Sequence, residues 1–384
     1  MTGIRPTLRY PGQHPRRAVV VGAGSFGTAV ALLLERAGVR TTLLCRTPLQ
    51  AEALERDREN LHYLPGVELP HGLRIGAFGA KEDQFHRVDL LFLAVPSKGM
   101  GEALALVEKL GVARTAGVVS LAKGLVPPSG VPPTVALERV FGVDRTACVG
   151  GPAHAREMIE TGAGLACASH SEPLAHRVAE TFQRAGVVCE VSNDPVGVEL
   201  AGVAKNAAAV AVGATQAQGL NAAGMAAADI FLEVLSLAEL SGGAARTFVG
   251  RGGTGDLVAT ALAPTSRNRS AGELLAQGVR AEEIPARLGQ AVEALETVRL
   301  LATAIEQAGV AAPVTSALAH LIEGTMPLDD WIELVRAKQP PPARFGRPGT
   351  WWARLRAWFR RSVARRPPRL EPAPQRSGEL ADTE

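Results

Sequence analysis

The chain has 384 residues, of which 46% are hydrophobic and 4% aromatic, and a formal net charge of +3. This length allows about two domains with a large core, packed mainly by Ala, Val and Leu. The four cysteines are widely spaced and form no CxxC pair, so the sequence gives no sign of a disulfide framework or a zinc site and favours a reducing cytoplasm.

The positive charge is concentrated at one end of the chain. Residues 341–384 contain ten Arg and four acidic residues, a charge of +6, which leaves −3 for the rest. An acidic main body without a recognition module argues against nucleic-acid binding. The N-terminal segment lacks the apolar core of a signal peptide, and no charge-free apolar run reaches the length of a membrane-spanning helix.

Short apolar runs alternate with helical segments in the first half of the chain. The runs are 17–24, 40–47, 88–97, 117–124, 146–153, 164–170 and 187–194. This alternation predicts an α/β fold with an N-terminal Rossmann-type parallel sheet covered on both faces. From about residue 195 the β pattern stops, and Ala-rich helical segments predict an all-α domain. The predicted division is a flexible N-terminus (1–16), a Rossmann domain (17–195), a helical domain (196–336) and a Pro/Arg-rich linker and tail (337–384).

The segment GAGSFG at 22–27 follows the first strand and opens a helix. In that context the G-x-G-x-x-G pattern predicts a dinucleotide site. Gly22 permits a tight turn, Gly24 lets a pyrophosphate approach the backbone, and Gly27 lets helix and strand pack closely. The helix N-terminus stabilises the phosphate charge.

The second strand ends in Cys45 and Arg46 instead of the carboxylate that usually holds the ribose hydroxyls of NAD. No negative charge repels a 2′-phosphate there, and a guanidinium can pair with one. The sequence therefore predicts NADP or NAD as cofactor, with a leaning towards NADPH. An Arg46 that stacks on the adenine or faces water is the alternative.

Nine segments together resemble the bacterial type of NAD(P)-dependent glycerol-3-phosphate dehydrogenase. They are GAGSFGTA (22–29), ENLHYLPG (59–66), AVPS (94–97), SLAKGL (120–125), GGPAHARE (150–157), GVELAGVAKNAAAVAVG (197–213), GTGDL (253–257), SRNRSAG (266–272) and VEALET (292–297). The resemblance implies a Rossmann domain followed by a helical domain. It also implies the interconversion of dihydroxyacetone phosphate and sn-glycerol 3-phosphate, for glycerophospholipid synthesis.

Carried over position by position, and joined to the glycine and Arg46 assignments, the resemblance implies three sets of site residues and no metal. The catalytic set is Lys205, Lys123 and Asp256. The cofactor-binding set is Gly22, Gly24, Ser25, Phe26, Gly27, Arg46, Pro96, Lys123, Ala155, Arg267 and Glu293. The substrate-binding set is Lys123, Gly151, Lys205, Asn206, Asp256, Ser266, Arg267 and Asn268.

The chemistry requires such residue types independently. Hydride transfer to a ketone builds negative charge on the carbonyl oxygen, which a nearby ammonium stabilises and protonates. Desolvation lowers the pKa of a lysine towards a usable range. Asp256 can orient such a lysine, or simply cap a helix after GTG. Glu199, seven residues before Asn206 and on the same helix face, is a candidate for holding the lysine region through hydrogen bonds.

Several positions depart from the family pattern. Ala153 and His154 stand where a hydroxyl residue and an aromatic residue are usual, Asp229 stands where arginine is expected, and Arg251 is added. Two alternatives to the implied reaction stay open, and these changes favour the first, whereas the intact set of Lys123, Lys205 and Asp256 argues against the second. One is a divergent paralogue that reduces another small phosphorylated ketone or oxo acid. The other is a non-catalytic NADPH-binding protein at a membrane.

The segment 351–366 combines an aromatic and aliphatic stripe at helical spacing with six arginines. This composition suits a helix in the interface of an anionic membrane at the inner membrane face. A helix that packs on the enzyme body, or a disordered tail, is the alternative. The predicted partners are thus a small phosphorylated substrate, a second copy of the chain in a homodimer, and a membrane touched by the tail.

Overall fold

The computed structural model describes residues 14–81, 83–263 and 265–337. Ten strands are assigned within them: β1 (Arg17–Val21), β2 (Arg40–Cys45), β3 (Glu59–Asn60), β4 (Leu64–Glu68), β5 (Arg74–Ala77), β6 (Leu90–Leu93), β7 (Gly117–Ser120), β8 (Thr146–Gly150), β9 (Gly164–Ala168) and β10 (Val188–Ser192). The segment 351–366, for which membrane contact is predicted, lies outside the described residues.

The helices of the sheet region are α1 (Ser25–Arg36), α2 (Pro48–Asp57), α3 (Met100–Leu110), α4 (Pro133–Phe141), α5 (Ala155–Glu160) and α6 (Glu172–Arg184). Those that follow are α7 (Pro195–Thr215), α8 (Leu220–Leu240), α9 (Ala245–Val249), α10 (Asp256–Leu262), α11 (Arg267–Ala276), α12 (Ile284–Leu288), α13 (Glu293–Gln307), α14 (Pro313–Glu323) and α15 (Leu328–Ala337).

Eight strands form one sheet in the order β10-β9-β8-β7-β6-β1-β2-β5. All neighbours in it are parallel except β8 and β9, which run antiparallel. The predicted α/β class and Rossmann-type sheet are confirmed, with this one reversed pair as an exception to a wholly parallel sheet. The runs alone could not reveal the reversal, because strands buried on both faces look alike in either direction.

A separate two-stranded hairpin, β3–β4, stands beside this sheet. The sequence marked it only as the motif ENLHYLPG and not as strands, because the pairing is short and interrupted by a register shift. Strand β5 was likewise absent from the predicted runs. Its four residues, RIGA, are too few and too mixed for a clear apolar run.

The central element of the helical region is α7, which is buried along almost its whole length. Asp194 is the N-cap of α7, and its side chain accepts the Gly197 N–H at 2.8 Å. Helix α11 then crosses α7 at backbone contact distance. A methyl group placed on Gly213 would lie 2.0 Å from the Arg269 carbonyl oxygen, and one on Gly272 would lie 2.0 Å from that of Val210. Only glycine permits so close a crossing.

Two helical spans, Pro195–Gln218 and Leu220–Leu240, are long and apolar enough to cross a membrane by length and composition alone. The first has 89% of its apolar window buried inside the protein and the second 39%. A core helix also meets this criterion of length and composition. Because most of the first span is buried, it is the core helix of the helical region.

Candidate active site

The turn after β1 has the geometry that a dinucleotide requires. Gly22 has φ +109°, and a methyl group there would lie 2.4 Å from the Ala94 carbonyl oxygen. A methyl group on Gly27 would lie 2.0 Å from the Gly22 carbonyl oxygen, so this position needs glycine for packing. At Gly24, by contrast, no atom lies within 4 Å of such a group. The open backbone at the N-terminus of α1 fits a pyrophosphate.

Two neighbouring segments hold this turn in place. Gln50 of α2 donates from Nε2 to the Ala23 carbonyl at 3.3 Å and accepts the Arg46 N–H at 3.3 Å. Asn60 of β3 donates from Nδ2 to the same Ala23 carbonyl at 3.0 Å. The Arg46 side chain is exposed and follows β2 directly.

The β3–β4 hairpin also contacts the start of α1 directly. The Ser25 hydroxyl donates to the Tyr63 carbonyl at 2.6 Å. Asn60 Nδ2 donates to Thr28 Oγ1 at 2.8 Å. The motif at 59–66 thus supports the phosphate-binding turn, a role for which the sequence offered no local signal.

Asp256 brings the two predicted lysines together. Its Oδ2 accepts from Lys123 Nζ at 2.7 Å, and its Oδ1 lies 3.5 Å from Lys205 Nζ. Lys123 follows β7, Lys205 lies in α7, and Asp256 begins α10. Residues 82 and 51 positions apart along the chain therefore form one cluster between the sheet and the helices. Lys123 Nζ also donates to the Gly151 carbonyl at 2.8 Å, and it lies 5.9 Å from the Phe26 ring centroid.

A π-helical turn at Arg251–Gly255 positions Asp256. A methyl group on Gly253 would lie 2.1 Å from the Phe248 carbonyl oxygen, which explains a glycine in that turn. Asp256 makes no side-chain hydrogen bond that caps α10. Its carboxylate is committed to the lysines, so the helix-cap alternative is not what the structure shows.

Thr260 is a member of this cluster that the sequence reasoning missed. Its hydroxyl accepts from Lys205 Nζ at 3.2 Å and lies 3.4 Å from Asp256 Oδ1. The signal was available, because Thr260 stands four residues after Asp256 in a helix and therefore on the same face.

Burial gives this cluster its electrostatic character. Burial, together with the weaker effect of the Lys123 charge, lowers the pKa of Lys205 to about 8 against the opposing attraction of Asp256. Burial alone would raise the pKa of Asp256, but the two lysine charges outweigh it and hold that pKa below its ordinary value. At neutral pH the centre therefore contains an ionised carboxylate beside a lysine close to its titration range.

Two asparagines connect the cluster to α11. Asn206 donates from Nδ2 to the Lys123 carbonyl at 2.8 Å and accepts from Asn268 Nδ2 at 2.8 Å through Oδ1. Ser266 caps α11 by accepting the Arg269 N–H at 3.4 Å. The exposed Arg267 side chain donates to Gln290 Oε1 at 3.2 Å. The predicted substrate residues 266–268 thus stand at the start of α11, with Asn268 joined to the lysine cluster through Asn206.

The remaining predicted residues lie at the ends of strands or the starts of helices, or directly beside them. Glu293 accepts from the Ser97 backbone N–H at 2.8 Å and from the Ser97 hydroxyl at 2.6 Å, directly after Pro96. Ala155 is the first residue of α5. Gly151, at the end of β8, has φ +108°, and a methyl group there would lie 2.4 Å from the Gly164 carbonyl oxygen.

The departures from the family pattern differ in their distance from the lysines. Half-buried Ala153 and His154 follow Gly151, and His154 Nδ1 lies 3.6 Å from Glu157 Oε1. Arg251 forms an ion pair with Glu190 at 3.0 Å beside Gly164. Half-buried Asp229 lies on α8, which does not contribute to the cluster.

No metal site is evident in the described part of the chain. Among residues 14–81, 83–263 and 265–337, no group of three or more His, Cys, Asp or Glu side chains is arranged to hold a metal ion. The four cysteines are buried, and burial raises the pKa of each thiol, Cys45 to about 11 and Cys189 to about 12.

Comparison with known proteins gives one consistent result. The N-terminal model of NAD-dependent glycerol-3-phosphate dehydrogenase matches residues 17–175, and the C-terminal model matches 194–333. Glycerol-3-phosphate dehydrogenase (NAD(P)+) of Thermus thermophilus is 36% identical over 330 residues, 84% of this chain and 99% of that protein. The enzyme of the same name from Alcanivorax borkumensis is 33% identical over 328 residues, 84% and 94% of the two chains.

Solved structures agree. The crystal structure of glycerol-3-phosphate dehydrogenase from Coxiella burnetii has a TM-score of 0.78 and 26% identity, and covers 84% of this chain and 99% of its own. A 2-dehydropantoate 2-reductase from Geobacter metallireducens, at 18% identity and a TM-score of 0.55, shares the fold alone. The chain therefore belongs to the NAD-dependent glycerol-3-phosphate dehydrogenase family.

Proposed function

We propose that the protein reduces dihydroxyacetone phosphate reversibly to sn-glycerol 3-phosphate with NADPH or NADH, a reaction that supplies glycerophospholipid synthesis. The observation that carries this proposal is the cluster of Lys123, Asp256 and Lys205 beside the dinucleotide turn. The family membership supports the same reaction and the same pair of cofactors.

Lys205 is the proton donor to the substrate oxygen, and the proton acceptor in reverse. The residue is 9% exposed, and its Nζ contacts Thr260 and Asp256, so the ammonium is fixed in a site from which water is largely excluded. A pKa of about 8 leaves it mostly protonated at neutral pH yet readily able to give up the proton. The nicotinamide supplies the hydride when the cofactor is bound.

Asp256 and Lys123 prepare the site for that transfer. Asp256 keeps two ammonium groups close together that would otherwise repel each other. Lys123 lies near Phe26 at the dinucleotide end and near Gly151 at the substrate end, so its charge stabilises both the cofactor and the developing oxyanion. Ser266, Arg267 and Asn268 bind the substrate phosphate at the N-terminus of α11.

The deciding experiment is a steady-state assay with dihydroxyacetone phosphate and each cofactor. We expect activity in the wild-type protein and a kcat about 10²–10⁴-fold lower in Lys205→Ala. Lys109→Ala, which removes an exposed lysine on α3, is the matched control and keeps full activity. A wild-type protein that binds cofactor but does not turn over this substrate would refute the proposal. That outcome would favour the divergent paralogue, since Ala153 lacks the hydroxyl group that is usual at this position of the family pattern.

Cofactor choice is assigned to Arg46. Its side chain is exposed at the end of β2, and its backbone N–H is held by Gln50. A free guanidinium there can pair with the 2′-phosphate of NADPH. We expect NADPH to be preferred in kcat/KM and Arg46→Ala to reduce the NADPH-to-NADH ratio about tenfold. An unchanged ratio would assign Arg46 to adenine stacking or to solvent.

We also propose that the protein is a homodimer. Helix α8 has exposed apolar side chains at Met225 (44%), Leu232 (60%) and Leu240 (69%), and such a face suits a second copy. Sedimentation equilibrium should show a dimer in the wild type and a weaker one in Leu232→Glu. A monomeric wild type would reject the idea.

For the segment 351–366 we propose contact with an anionic membrane, on the basis of its sequence alone. Co-sedimentation of the full chain and of a truncation after Ala337 with phosphatidylglycerol-containing vesicles tests it. Equal, negligible binding by both would remove the proposal.

A further inference from the structure

The loop that carries Lys123 is long, and α7 holds it at both ends. It leaves β7 after Ser120 and enters α4 at Pro133. At its beginning, the Lys123 carbonyl accepts from Asn206 Nδ2 at 2.8 Å. At its end, the Thr134 backbone N–H donates to both carboxylate oxygens of Glu199, at 3.0 Å each.

Glu199, Gly202 and Asn206 lie at spacings of three and four residues, so they share one face of α7. A methyl group on Gly202 would lie 3.7 Å from Lys123 Cβ and Cγ, so the middle of this face is in contact distance of the lysine stem. Gly202 has no side chain and leaves room for the Lys123 stem. Glu199 and Asn206, on either side of it, hold the loop by hydrogen bonds. Lys123 is thereby fixed between two anchor points on one rigid helix.

Helix α4 cannot provide the anchor at Thr134 by itself. It begins with Pro132 and Pro133, and its first turn has no side-chain cap hydrogen bond of its own. A backbone N–H at a helix start needs an acceptor. Glu199 supplies it from a different helix.

The surroundings of Glu199 favour the protonated, neutral form of its side chain. The residue is 4% exposed, and burial raises its pKa to about 8, against the opposing hydrogen bonds of Thr134 and Ser120. Glu138 on α4 adds a repulsive charge, and the buried Cys148 thiol of β8 lies within its field. At a pKa of about 8 the side chain is mostly protonated at neutral pH, and its oxygens still accept the Thr134 N–H.

We propose that Glu199 is a positioning residue for Lys123: by holding the start of α4 against α7, it fixes the loop that presents the Lys123 ammonium to Asp256 and the substrate. The inference deepens the proposed function and relies on it for its catalytic consequence. Glu199 itself does not reach the lysines, so it acts through the loop.

Glu233 provides a matched control elsewhere in the molecule. It is also 4% exposed and also holds a helix start from another helix, accepting the Val314 N–H at 3.1 Å and the Thr315 N–H at 2.8 Å. It lies on α8 and contacts α14, away from the lysine cluster. A loss that merely reflects a broken buried cap should appear equally in both variants.

The test compares Glu199→Ala, Glu199→Gln and Glu233→Ala, each assayed at the same interval below its own melting temperature. We expect Glu199→Ala to lower kcat about 10–100-fold, with the KM for NADPH within about threefold, because a misplaced catalytic group affects the chemical step most. Glu199→Gln keeps one oxygen for the Thr134 N–H and should lower kcat less, by about two- to tenfold. Glu233→Ala should keep kcat within about threefold.

Hydrogen–deuterium exchange on the same variants provides a readout that needs no substrate. In Glu199→Ala, exchange should become faster not only at Thr134 but also in the segment 121–126 around Lys123. In Glu233→Ala, faster exchange should be confined to the start of α14. Equal kcat losses in Glu199→Ala and Glu233→Ala, or unchanged exchange at 121–126, would overturn the inference.

The two proposals can fail separately. If the wild-type protein does not reduce dihydroxyacetone phosphate, the proposed function fails, and exchange at 121–126 alone decides whether Glu199 fixes the loop. If Glu199→Ala does not fold, Glu199→Gln carries the test: it must then show both a reduced kcat and faster exchange at 121–126, and wild-type values for either would contradict the proposal.

Discussion

Helices α7 and α8 are both 21 residues long and rich in alanine, yet their surroundings differ. Helix α7 is buried almost throughout and carries Lys205 and Asn206 in the site. Helix α8 keeps one side exposed and apolar, and its Asp229 is half-buried outside the cluster. The similar composition of α7 and α8 therefore predicts two long apolar helices and does not distinguish them. The packing around each helix determines whether a charged side chain is buried with partners that shift its pKa.

Removing the carboxylate that pairs with the α7 lysine should have the largest effect. In Asp256→Asn, Lys123 and Lys205 lose their shared counter-charge, and we expect kcat/KM to fall about 10²–10⁴-fold. Asp256 raises the pKa of Lys205, so its loss should move that pKa further below 8. The pH–rate profile of the residual activity reports this shift. A profile that moves to higher pH would contradict the assigned pairing.

The close crossing of α7 and α11 should be the next most sensitive feature. Gly213→Ala puts a methyl group 2.0 Å from the Arg269 carbonyl oxygen, so a backbone must move. We expect a loss of about 1–3 kcal/mol in the free energy of unfolding, measured by urea denaturation. Activity should fall as well, because the displaced α11 carries Asn268. A loss below about 0.5 kcal/mol would show that the crossing is not tight.

The buried ionisable groups of α7 should give stability a particular pH dependence. Glu199 has a folded-state pKa raised from 4.5 to about 8, so the folded state holds more protons and its stability falls as pH rises from about 4.5 to 8. Lys205 has its pKa lowered from 10.5 to about 8, so its contribution recovers as pH rises from about 8 to 10.5. Unfolding free energies measured across this range test both signs.

Two variants isolate the contribution of Glu199 to the pH dependence of stability. Glu199→Gln should flatten the fall between pH 4.5 and 8, since an amide does not titrate. Glu138→Gln removes a charge that raises the pKa of Glu199 and should move the upper end of the fall below pH 8. A slope that both variants leave intact would assign the pH dependence to other groups.

The smallest effect is expected on α8. A methyl group on Gly224 meets no atom within 4 Å, so Gly224→Ala is not strained. We expect a gain of about 0.5–1 kcal/mol in the free energy of unfolding, because alanine loses less conformational freedom in a helix. Urea denaturation of Gly224→Ala and Gly213→Ala under the same conditions compares the two helices. A destabilised Gly224→Ala protein would mean that the exposed side of α8 is already covered tightly.

The sequence by itself determined the α/β class, the phosphate-binding turn and the residue types of the site. These depend on local patterns: apolar runs, glycines at fixed spacing, and short motifs that carried the family resemblance. The division of the chain at 195 and 196 and the roles of the site residues stay predictions.

Only the tertiary structure decided how these residues act together. The bridge from Asp256 to two lysines, the contact of Thr260 with Lys205 and the hold of Glu199 on Thr134 all join positions from different elements. The antiparallel pairing of β8 and β9 is equally non-local. Sequence patterns report which face of an element is buried, whereas the pKa of Lys205 depends on what the fold brings against it, and that is fixed only when distant segments pack.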